Sequence, residues 1–286
     1  MTKSFGVVNN ELIDLHTHSW WSDGVLSPTA LANLAYEKGV KVLSLTDHDE
    51  IAGIQEACFM AAKRQITLLP GVEISASWKG RTLHVLGLNI RPETPVLVRG
   101  LHQIRMVRED RARRMARSLE KSGIPQVLDG VRKLVRHRVI SRTHFARFLI
   151  KQGYAKNMKA VFKRYLTAGK PGFVAGEWAP LADVVGWIRA AGGQAVVAHP
   201  GRYHLSITQL NSLMEDFLSC GGEGLEVVTP AHNVEVTAKM RALAERYRLR
   251  MSQGSDFHDP DGWVKPGGFV PLAEDCLPIW SLWDHS

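Results

Sequence analysis

Side chains that commonly bind metal ions recur along this chain, beginning with the segment Asp14-Leu15-His16-Thr17-His18. The His-x-His pair ends an apolar run that is typical of a buried strand. Alternate residues of a strand point to the same face, so His16 and His18 are predicted to bind one ion together. A single His-x-His pair is weak evidence, and the prediction therefore depends on similar side chains further along the chain.

Seven more side chains of the same chemistry occur after this pair, and most of them end a short apolar run. They are Asp23, His48 (within Thr46-Asp47-His48-Asp49), Glu73, His84, His199, Asp256 and His258. Mixed imidazole and carboxylate ligands favour Mn, Fe, Zn or Co over a purely oxygen-bound Mg or Ca. We expect two or three ions, Mn²⁺ with Fe or Zn as alternatives, and Glu73 as the bridging carboxylate.

Such a cluster predicts hydrolysis of a phosphate ester. Metal ions can generate a metal-bound hydroxide near neutral pH and neutralise a phosphoryl group. Asp23 and His48 are the protein groups expected nearest to that hydroxide. The sequence has no Walker loop, no G-x-G-x-x-G motif and no serine-nucleophile motif, so a metal-activated water is favoured over covalent catalysis.

Several of these residues have a structural alternative. His84 is also typical of a packed strand histidine, and Asp23 lies in a Ser-Asp-Gly turn. The pair Trp20-Trp21 suits base stacking and core packing equally well. Three further aspartates are either ligands or groups that orient the histidines, namely Asp14, Asp47 and Asp49.

Alternating strands and helices are predicted to position these side chains. Strands are expected at Leu12–His18, Val40–Thr46, Ile66–Glu73, Thr82–Ile90, Gln194–Ala198, Gly224–Val228 and Arg250–Ser255. Helices are expected at Pro28–Lys38, Ile51–Arg64, Val96–Ser122, Leu181–Ala191, Thr208–Ser219 and Val234–Tyr247. Repeated βα units indicate a mainly parallel sheet or barrel. Most of the metal-type residues, Glu73 included, are then predicted at the carboxyl ends of strands, where barrel enzymes carry their chemistry.

Charge is unevenly distributed along the 286 residues. The chain has a net charge of +8, yet Leu97 to Gly172 holds 20 Lys and Arg against 4 Asp and Glu, a net of +16. The remainder is net −8. A basic segment on an acidic metal-binding body predicts an anionic substrate, because metals and basic side chains jointly recognise phosphate.

Composition excludes some classes of protein. No apolar run is long enough for a membrane span, and the first ten residues lack a signal-peptide core. The three cysteines form no C-x-x-C pair, which argues against a zinc ribbon or disulfide framework and favours the reducing cytoplasm. The sequence predicts no membrane partner and gives no sign of an obligate protein partner.

The ordered motifs resemble the polymerase and histidinol phosphatase (PHP) family of metal-dependent phosphoesterases. The resemblance implies an α/β fold, a distorted (β/α)7 TIM-like barrel with a multinuclear metal centre. The nine metal-type residues inherit ligand roles by matching position. We expect the barrel over residues 11–96 and 173–258, a basic helical insertion that binds substrate phosphate over residues 97–172, and a tail over residues 259–286 that packs on the barrel.

Motifs inside the insertion are similar to one subfamily, which includes 3′,5′-nucleoside bisphosphate phosphatases and ribonuclease AM, a 5′-to-3′ exoribonuclease. They are Ile140-Ser141-Arg142-Thr143-His144, Phe162-Lys163-Arg164-Tyr165-Leu166 and Gly169-Lys170-Pro171-Gly172-Phe173. The resemblance implies hydrolysis of the 3′-phosphate ester of 5′-phosphorylated nucleotides, with 5′-phosphorylated RNA ends and 3′,5′-bisphosphonucleotides as partners. The residues expected to bind substrate phosphate are Ser141, Arg142, His144, Lys170 and Arg202.

Two rival functions stay open from the sequence. In the first, the protein is an enzyme whose substrates are restricted to small bisphosphonucleotides. In the second, it is a non-catalytic module that binds nucleic acid. The complete set of nine metal-type residues argues against the second, because a relic is expected to have lost several of them.

Overall fold

The computed structural model describes residues 11–283 and places seven strands in one sheet whose order follows the chain. The strands are β1 Leu12–Thr17, β2 Val40–Leu45, β3 Thr67–Trp78, β4 Arg81–Leu88, β5 Gln194–Val197, β6 Gly224–Val228 and β7 Arg250–Gln253. β4 runs antiparallel to both of its neighbours, and the other neighbouring pairs are parallel. The sheet is therefore mainly parallel, as predicted, with one reversed strand.

The chain after β7 returns to β1 and closes the sheet. Thr17 and Phe257 form a parallel bridge, and the Asp256 amide donates to the His16 carbonyl at 2.8 Å. Nearer the start of β1, the Gln253 side-chain amide donates to the Ile13 carbonyl at 2.9 Å. These contacts join the first and last strands and confirm the predicted α/β barrel.

Nine α-helices lie in the described part of the chain. They are α1 Pro28–Glu37, α2 Ile54–Lys63, α3 Pro95–Lys121, α4 Val127–Arg132, α5 Arg142–Lys151, α6 Met158–Val161, α7 Leu181–Ala190, α8 Ile207–Ser219 and α9 Val234–Tyr247. Short 3-10 helices span Pro200–Tyr203 and Ile279–Leu282, and a π-helix spans Phe162–Leu166. Ser27 caps α1 by accepting from the Ala30 amide, as its position before Pro28 predicts.

β3 departs from its prediction. The strand continues past Glu73 to Trp78 because it forms a long antiparallel hairpin with β4, in which Glu73 faces Leu86 and Ser75 faces His84. Glu73 therefore lies within a strand, and its prediction as a strand end was wrong. The reversal of β4 places His84, in the first half of that strand, near the carboxyl ends of the parallel strands.

The barrel and the basic segment each contain an apolar cluster of their own. One packs the barrel strands against α7, α8 and α9. The other lies among α3, α4, α5 and the π-helix and includes Met115, Leu119 and Phe145. The division into barrel, insertion and tail remains a prediction. No helix within residues 11–283 combines the length and the apolar character that crossing a bilayer requires.

Candidate metal centre and its cavity

His16 and His18 meet two carboxylates at the end of β1. The His16 Nε2 and His18 Nε2 atoms lie 3.4 and 3.3 Å from Glu73 Oε2, and 3.5 and 3.3 Å from Asp256 Oδ1. All four residues place a ligand atom within 4.8 Å of one another. The alternation of residues on β1 thus brings both imidazoles to one point, as the His-x-His spacing predicts.

Two further groups share residues with the first. One joins His18 to Asp23, His48 and His258, with His258 Nε2 at 3.2 Å from Asp23 Oδ1. The other consists of His48, Glu73 and His84. Shared residues make the three groups one centre rather than three independent sites.

Glu73 lies at the middle of this centre. Its Oε2 is 2.8 Å from His48 Nδ1, and its Oε1 is 2.8 Å from His84 Nδ1 and 2.9 Å from His199 Nε2. The structure therefore brings all nine residues of the sequence prediction together. Their role as metal ligands remains a prediction.

Unsatisfied buried atoms fit bound metal ions. His16 Nε2, His18 Nε2, Asp23 Oδ1, His48 Nδ1 and Glu73 Oε2 are buried and make no hydrogen bond within residues 11–283. Buried polar groups normally have a partner, and leaving one unpaired is costly. Imidazole nitrogens and carboxylate oxygens that lie close together without forming hydrogen bonds are the donor set that Mn, Fe or Zn accepts.

Electrostatics keeps the central carboxylates ionised. Burial alone would raise the pKa of Glu73, but the neighbouring His48, His84 and His16 hold that pKa well below its usual range. The pKa of Asp256 is likewise held down against burial, chiefly by His16 and His258. A metal ion is bound by ionised carboxylates and neutral imidazoles, so a bound cation would replace the imidazolium charges that hold these pKa values down.

Glu226 supports the centre and was missed in the sequence analysis. It is fully buried in β6, with Oε1 2.8 Å from His16 Nδ1, and its Oε2 accepts from the His199 amide at 2.6 Å. A carboxylate on the outer nitrogen fixes the orientation of a ligating imidazole. The available signal was an acidic residue in the otherwise apolar run Gly224–Val228.

The three other aspartates bond to protein groups. Asp47 accepts from the Ser19 amide and from the Ser19 and Ser22 hydroxyls. Asp14 accepts from the Ser255 and Gly267 amides, and Asp49 accepts from Ser75 and pairs with Arg108. Their carboxylate oxygens are occupied by these protein donors, which favours the interpretation that they hold the loops of the centre in place.

A cavity of about 680 Å³ opens above the centre. One part of its wall consists of candidate ligands, among them Asp23, His199 and His258. Another part is cationic and polar and includes Arg108, Arg111, Ser141, Arg142 and Arg202. Metal-type residues and a cluster of arginines thus share one space.

Arg108 and Arg111, on α3, were not singled out by the sequence analysis. Both guanidinium groups stack on the Trp178 ring, at 5.1 and 5.5 Å from its centroid. Burial, followed by the nearby charges of Arg142 and Arg108, lowers the pKa of Arg111 to about 9. Their spacing could have identified them, because residues three apart share a helix face. The segment has 20 basic residues, however, so this pair did not stand out in the sequence.

Arg142 and Arg202, both predicted to bind substrate phosphate, line the cavity, and their charges differ in whether they are paired. Arg202 donates to Asp256 Oδ2 at 2.6 Å, so its charge is paired with the metal centre. Arg142 lies over the Phe162 ring and forms no ion pair within residues 11–283. Arg142 therefore offers an unneutralised charge to an anion.

Ser141, His144 and Lys170 differ in their placement. The Ser141 hydroxyl lines the cavity and also caps α5 by accepting from the Thr143 amide at 3.0 Å. His144 is buried, and its Nδ1 accepts from the Ser141 amide at 3.2 Å, which completes a capping box. Lys170 is exposed and does not line the cavity.

The tryptophan pair meets the insertion. The Trp21 ring stacks on His137 with centroids 3.6 Å apart, and Arg136 lies over Trp20 at 4.6 Å. Neither tryptophan lines the cavity. Of the two sequence interpretations, this geometry favours packing, with His137 serving as the partner ring.

A barrel rim that gathers nine metal-type side chains beside an arginine-rich cavity defines a metal-dependent hydrolase of anionic esters. Residues 14–175 match the PHP domain family. The chain belongs to this family, as the ordered motifs predict.

Relatives of known name cover nearly the whole chain. The 3′,5′-nucleoside bisphosphate phosphatase of Chromobacterium violaceum is 47% identical over 94% of this chain and 95% of its own length. The 5′-3′ exoribonuclease Rnm of Escherichia coli is 39% identical over 96% and 94%. A solved structure of an amidohydrolase from Chromobacterium violaceum, with bound sulfate and no metal, superposes with a TM-score of 0.92 at 46% identity over 95% of both chains.

Proposed function

We propose that this protein hydrolyses the 3′-phosphate ester of 5′-phosphorylated nucleotides, acting as a 5′-to-3′ exoribonuclease on RNA ends and as a 3′,5′-nucleoside bisphosphate phosphatase. The observation that carries the proposal is the single cavity in which the metal-type centre adjoins Arg111 and Arg142. Neither arginine has an ion-pair partner within residues 11–283. Relatives bearing each of the two names support both activities.

Both activities break the same bond. Water adds to the 3′-phosphorus, the bond from phosphorus to O3′ breaks, and O3′ takes a proton. A bisphosphonucleotide then gives inorganic phosphate and a 5′-mononucleotide. RNA gives a 5′-mononucleotide and a shortened chain with a new 5′-phosphate, which is again a substrate.

The nine candidate ligands would hold two or three ions, with Mn²⁺ as the expected metal and Fe or Zn as alternatives. Bound ions would neutralise the phosphoryl oxygens and activate water near neutral pH. We expect Asp23 and His48, which line the cavity, to be the protein groups nearest to the reacting water. Arg202, paired to Asp256, adds positive charge on the same side.

The arginines supply the anchor for the 5′-phosphate. A guanidinium binds phosphate through a fixed pair of N–H donors, and such charge-assisted bonds are strong in a partly buried site. Burial and the nearby charges of Arg108 and Arg202 lower the pKa of Arg142, so an entering anion relieves repulsion among cations. His144 and Lys170 remain weaker candidates, since one caps a helix and the other is exposed.

The remaining positive charge of the insertion would follow the RNA backbone, which favours RNA over an activity restricted to small bisphosphonucleotides. A non-catalytic module is disfavoured because eight of the metal-type residues form the three linked groups and the ninth, His199, lies 2.9 Å from Glu73. A cytoplasmic role in RNA processing belongs to the same proposal.

Product analysis with Mn²⁺-loaded protein tests the function. The substrates are adenosine 3′,5′-bisphosphate and a short RNA carrying either a 5′-phosphate or a 5′-hydroxyl. We expect 5′-mononucleotides from the bisphosphate and the 5′-phosphorylated RNA. Asp256→Asn should abolish turnover, whereas Asp261→Asn, at an exposed site three residues from His258, should not.

Three outcomes would oppose the proposal. No turnover of any substrate contradicts an enzyme of this class. Turnover of the bisphosphate alone supports the restricted phosphatase. Equal cleavage of both RNAs contradicts a 5′-phosphate anchor.

A further inference from the structure

Two phenylalanines are part of the cavity wall. Phe162 and Phe173 both line the cavity, and both are only partly buried. Small residues between and after them leave space in front of this wall, namely Ala168, Ala175 and Gly176. Phe162 also packs against the apolar cluster of the insertion, so its ring contacts that core and borders the cavity. Large apolar rings that border a polar cavity indicate a surface that a ligand covers.

The backbone holds the two rings in place. Phe162 begins the five-residue π-helix, which is closed by the Thr167 amide donating to the Phe162 carbonyl at 3.1 Å. Such π turns occur frequently at functional sites. The loop bearing Phe173 is bonded to this helix, because the Gly172 amide donates to the Tyr165 carbonyl at 2.7 Å.

Only glycine fits at that junction. A Cβ on Gly172 would lie 2.9 Å from the Tyr165 carbonyl oxygen and 2.9 Å from methyl groups of Leu119 and Leu166. The loop therefore packs closely against the π-helix, and the positions of Phe162 and Phe173 are linked through it.

The wall adjoins the proposed phosphate anchor. The Arg142 guanidinium lies 5.6 Å from the centroid of the Phe162 ring. A nucleotide whose 5′-phosphate is bound by Arg142 would place its nucleoside within reach of this ring. An aromatic ring next to a phosphate site is the arrangement that binds single-stranded nucleic acid by base stacking.

The lining has few side chains free to distinguish bases. Side-chain amides, carboxylates and arginines read the edges of bases, and apart from Arg81 the lining arginines are paired with carboxylates or assigned to phosphate in the proposed function. Among the residues that line the cavity, the carboxylates are Asp23 and Asp256, both candidate ligands, and there is no Asn or Gln. Recognition through a ring face is tolerant, because every base has one.

We infer that Phe162 and Phe173 form a stacking wall for the base of the 5′-terminal nucleotide, so that the enzyme prefers a substrate that carries a base and accepts all four bases. This inference rests on the proposed function. It assigns the wall a ligand chemistry, a planar aromatic base, and makes both phenylalanines determinants of specificity.

The test compares adenosine 3′,5′-bisphosphate with ribose 3,5-bisphosphate, which has both phosphates and no base. Wild type should prefer the nucleotide by about 5- to 100-fold in kcat/KM, the range of stacking on one base. Phe162→Leu and Phe173→Leu should each reduce this preference through a higher KM for the nucleotide, with ribose bisphosphate unchanged. Phe162→Trp should preserve it, and Phe59→Leu, an exposed ring on α2, is the matched control.

Several results would overturn the inference. Equal use of both compounds by wild type shows that the base makes no contribution. An equal loss for both compounds in the leucine variants shows that the rings act by positioning Arg142. A strong preference for one of the four bases contradicts the tolerant wall.

Failure of the proposed function is distinguishable from failure of this inference. If wild type hydrolyses neither compound, the function is wrong, and calorimetric binding of the two compounds then decides the inference. Tighter binding of the nucleotide supports the stacking wall, and equal binding contradicts it.

Discussion

Glu73 is the residue around which the candidate centre is built. It belongs to two of the three ligand groups and lies within 2.9 Å of a nitrogen of His48, His84 and His199. Its burial would be prohibitively costly without positive partners, because an isolated carboxylate is poorly solvated in a protein interior. The positive charge of the surrounding imidazoles stabilises this buried carboxylate, and a bound metal ion would do the same.

Glu226 should control metal affinity without being a ligand. Glu226→Gln replaces the carboxylate on His16 Nδ1 by a neutral amide, so we expect metal affinity to fall by about 10- to 100-fold. Metal content after dialysis against a graded series of chelator concentrations measures this. Glu223→Gln, beside the same strand and only half-buried, is the matched control. Equal retention of metal by both variants would show that Glu226 does not act on His16.

At the residue scale the sequence predicts ligands better than the groups that support them. His16, His18 and His258 are recognisable because each lies in a motif with its own spacing. Glu226 and Arg111 are not, because their roles arise from neighbours 210 and about 30 residues away. Partners that are so far apart in the sequence can be recognised only in the folded structure.

Element packing brings the anion-binding arginines to the barrel. Helix α3 contacts α7 where Gly100 approaches Trp187, and about two turns further along α3 Arg108 pairs with Asp49. The close approach of the two helices thus places the basic segment against the loop that carries His48. Prediction of α3 as one long helix was confirmed, but the sequence did not indicate which face meets the barrel.

Two glycine substitutions in helices should have opposite effects. A Cβ on Gly100 would lie 2.4 Å from the Trp187 ring, so Gly100→Ala should destabilise the fold by about 1–3 kcal/mol through overpacking. Gly186, in α7, has open space there, so Gly186→Ala should stabilise by about 0.5–1 kcal/mol. Denaturant unfolding compares both with wild type. A stabilising Gly100→Ala would contradict the packing of α3 on α7.

His144 should make stability depend on pH. Burial lowers its pKa to about 4 from an ordinary value of 6.5. Above about pH 6.5 the His144 side chain is neutral in both the folded and the unfolded protein. As the pH falls, His144 is protonated first in the unfolded protein, so the free energy of unfolding decreases toward about pH 4.

The test replaces His144 by glutamine, which preserves a capping-box side chain at that position. Relative to wild type, His144→Gln should lose less unfolding free energy between about pH 7 and pH 5, by up to about 2 kcal/mol. Urea denaturation at each pH provides the comparison. Parallel curves for the two proteins would mean that His144 is not buried in its neutral form.

Strand direction was the main limit of prediction at the element scale. Apolar runs located all seven strands to within about two residues, except for the end of β3. A run does not reveal direction, however, and β4 is reversed. The hairpin turn at Lys79-Gly80, both with positive φ, is what reverses it. The same turn lets β3 extend past Glu73 to Trp78.

At the scale of the whole molecule, charge is divided between an acidic barrel and a segment of net charge +16. A longer anion should engage more of that segment than a mononucleotide does. The decline of kcat/KM with salt should therefore be steeper for a 5′-phosphorylated RNA of several nucleotides than for adenosine 3′,5′-bisphosphate, because each phosphate contact on a single strand adds about 0.7 to the slope of log affinity against log salt. Identical slopes would show that only the terminal nucleotide is bound.

In the proposed function, one cavity joins a hydrolytic metal centre to an anchor for a 5′-phosphate. The most direct measurement of that connection is kcat/KM for adenosine 3′,5′-bisphosphate against adenosine 3′-monophosphate, in wild type, Arg142→Met and the control Lys151→Met at the far end of α5. We predict that wild type and Lys151→Met prefer the bisphosphate by about 10- to 150-fold, the contribution of one charge-assisted interaction, and that Arg142→Met loses most of this preference. Equal use of the two nucleotides by wild type, or a preference unchanged in Arg142→Met, would contradict a 5′-phosphate anchor at Arg142.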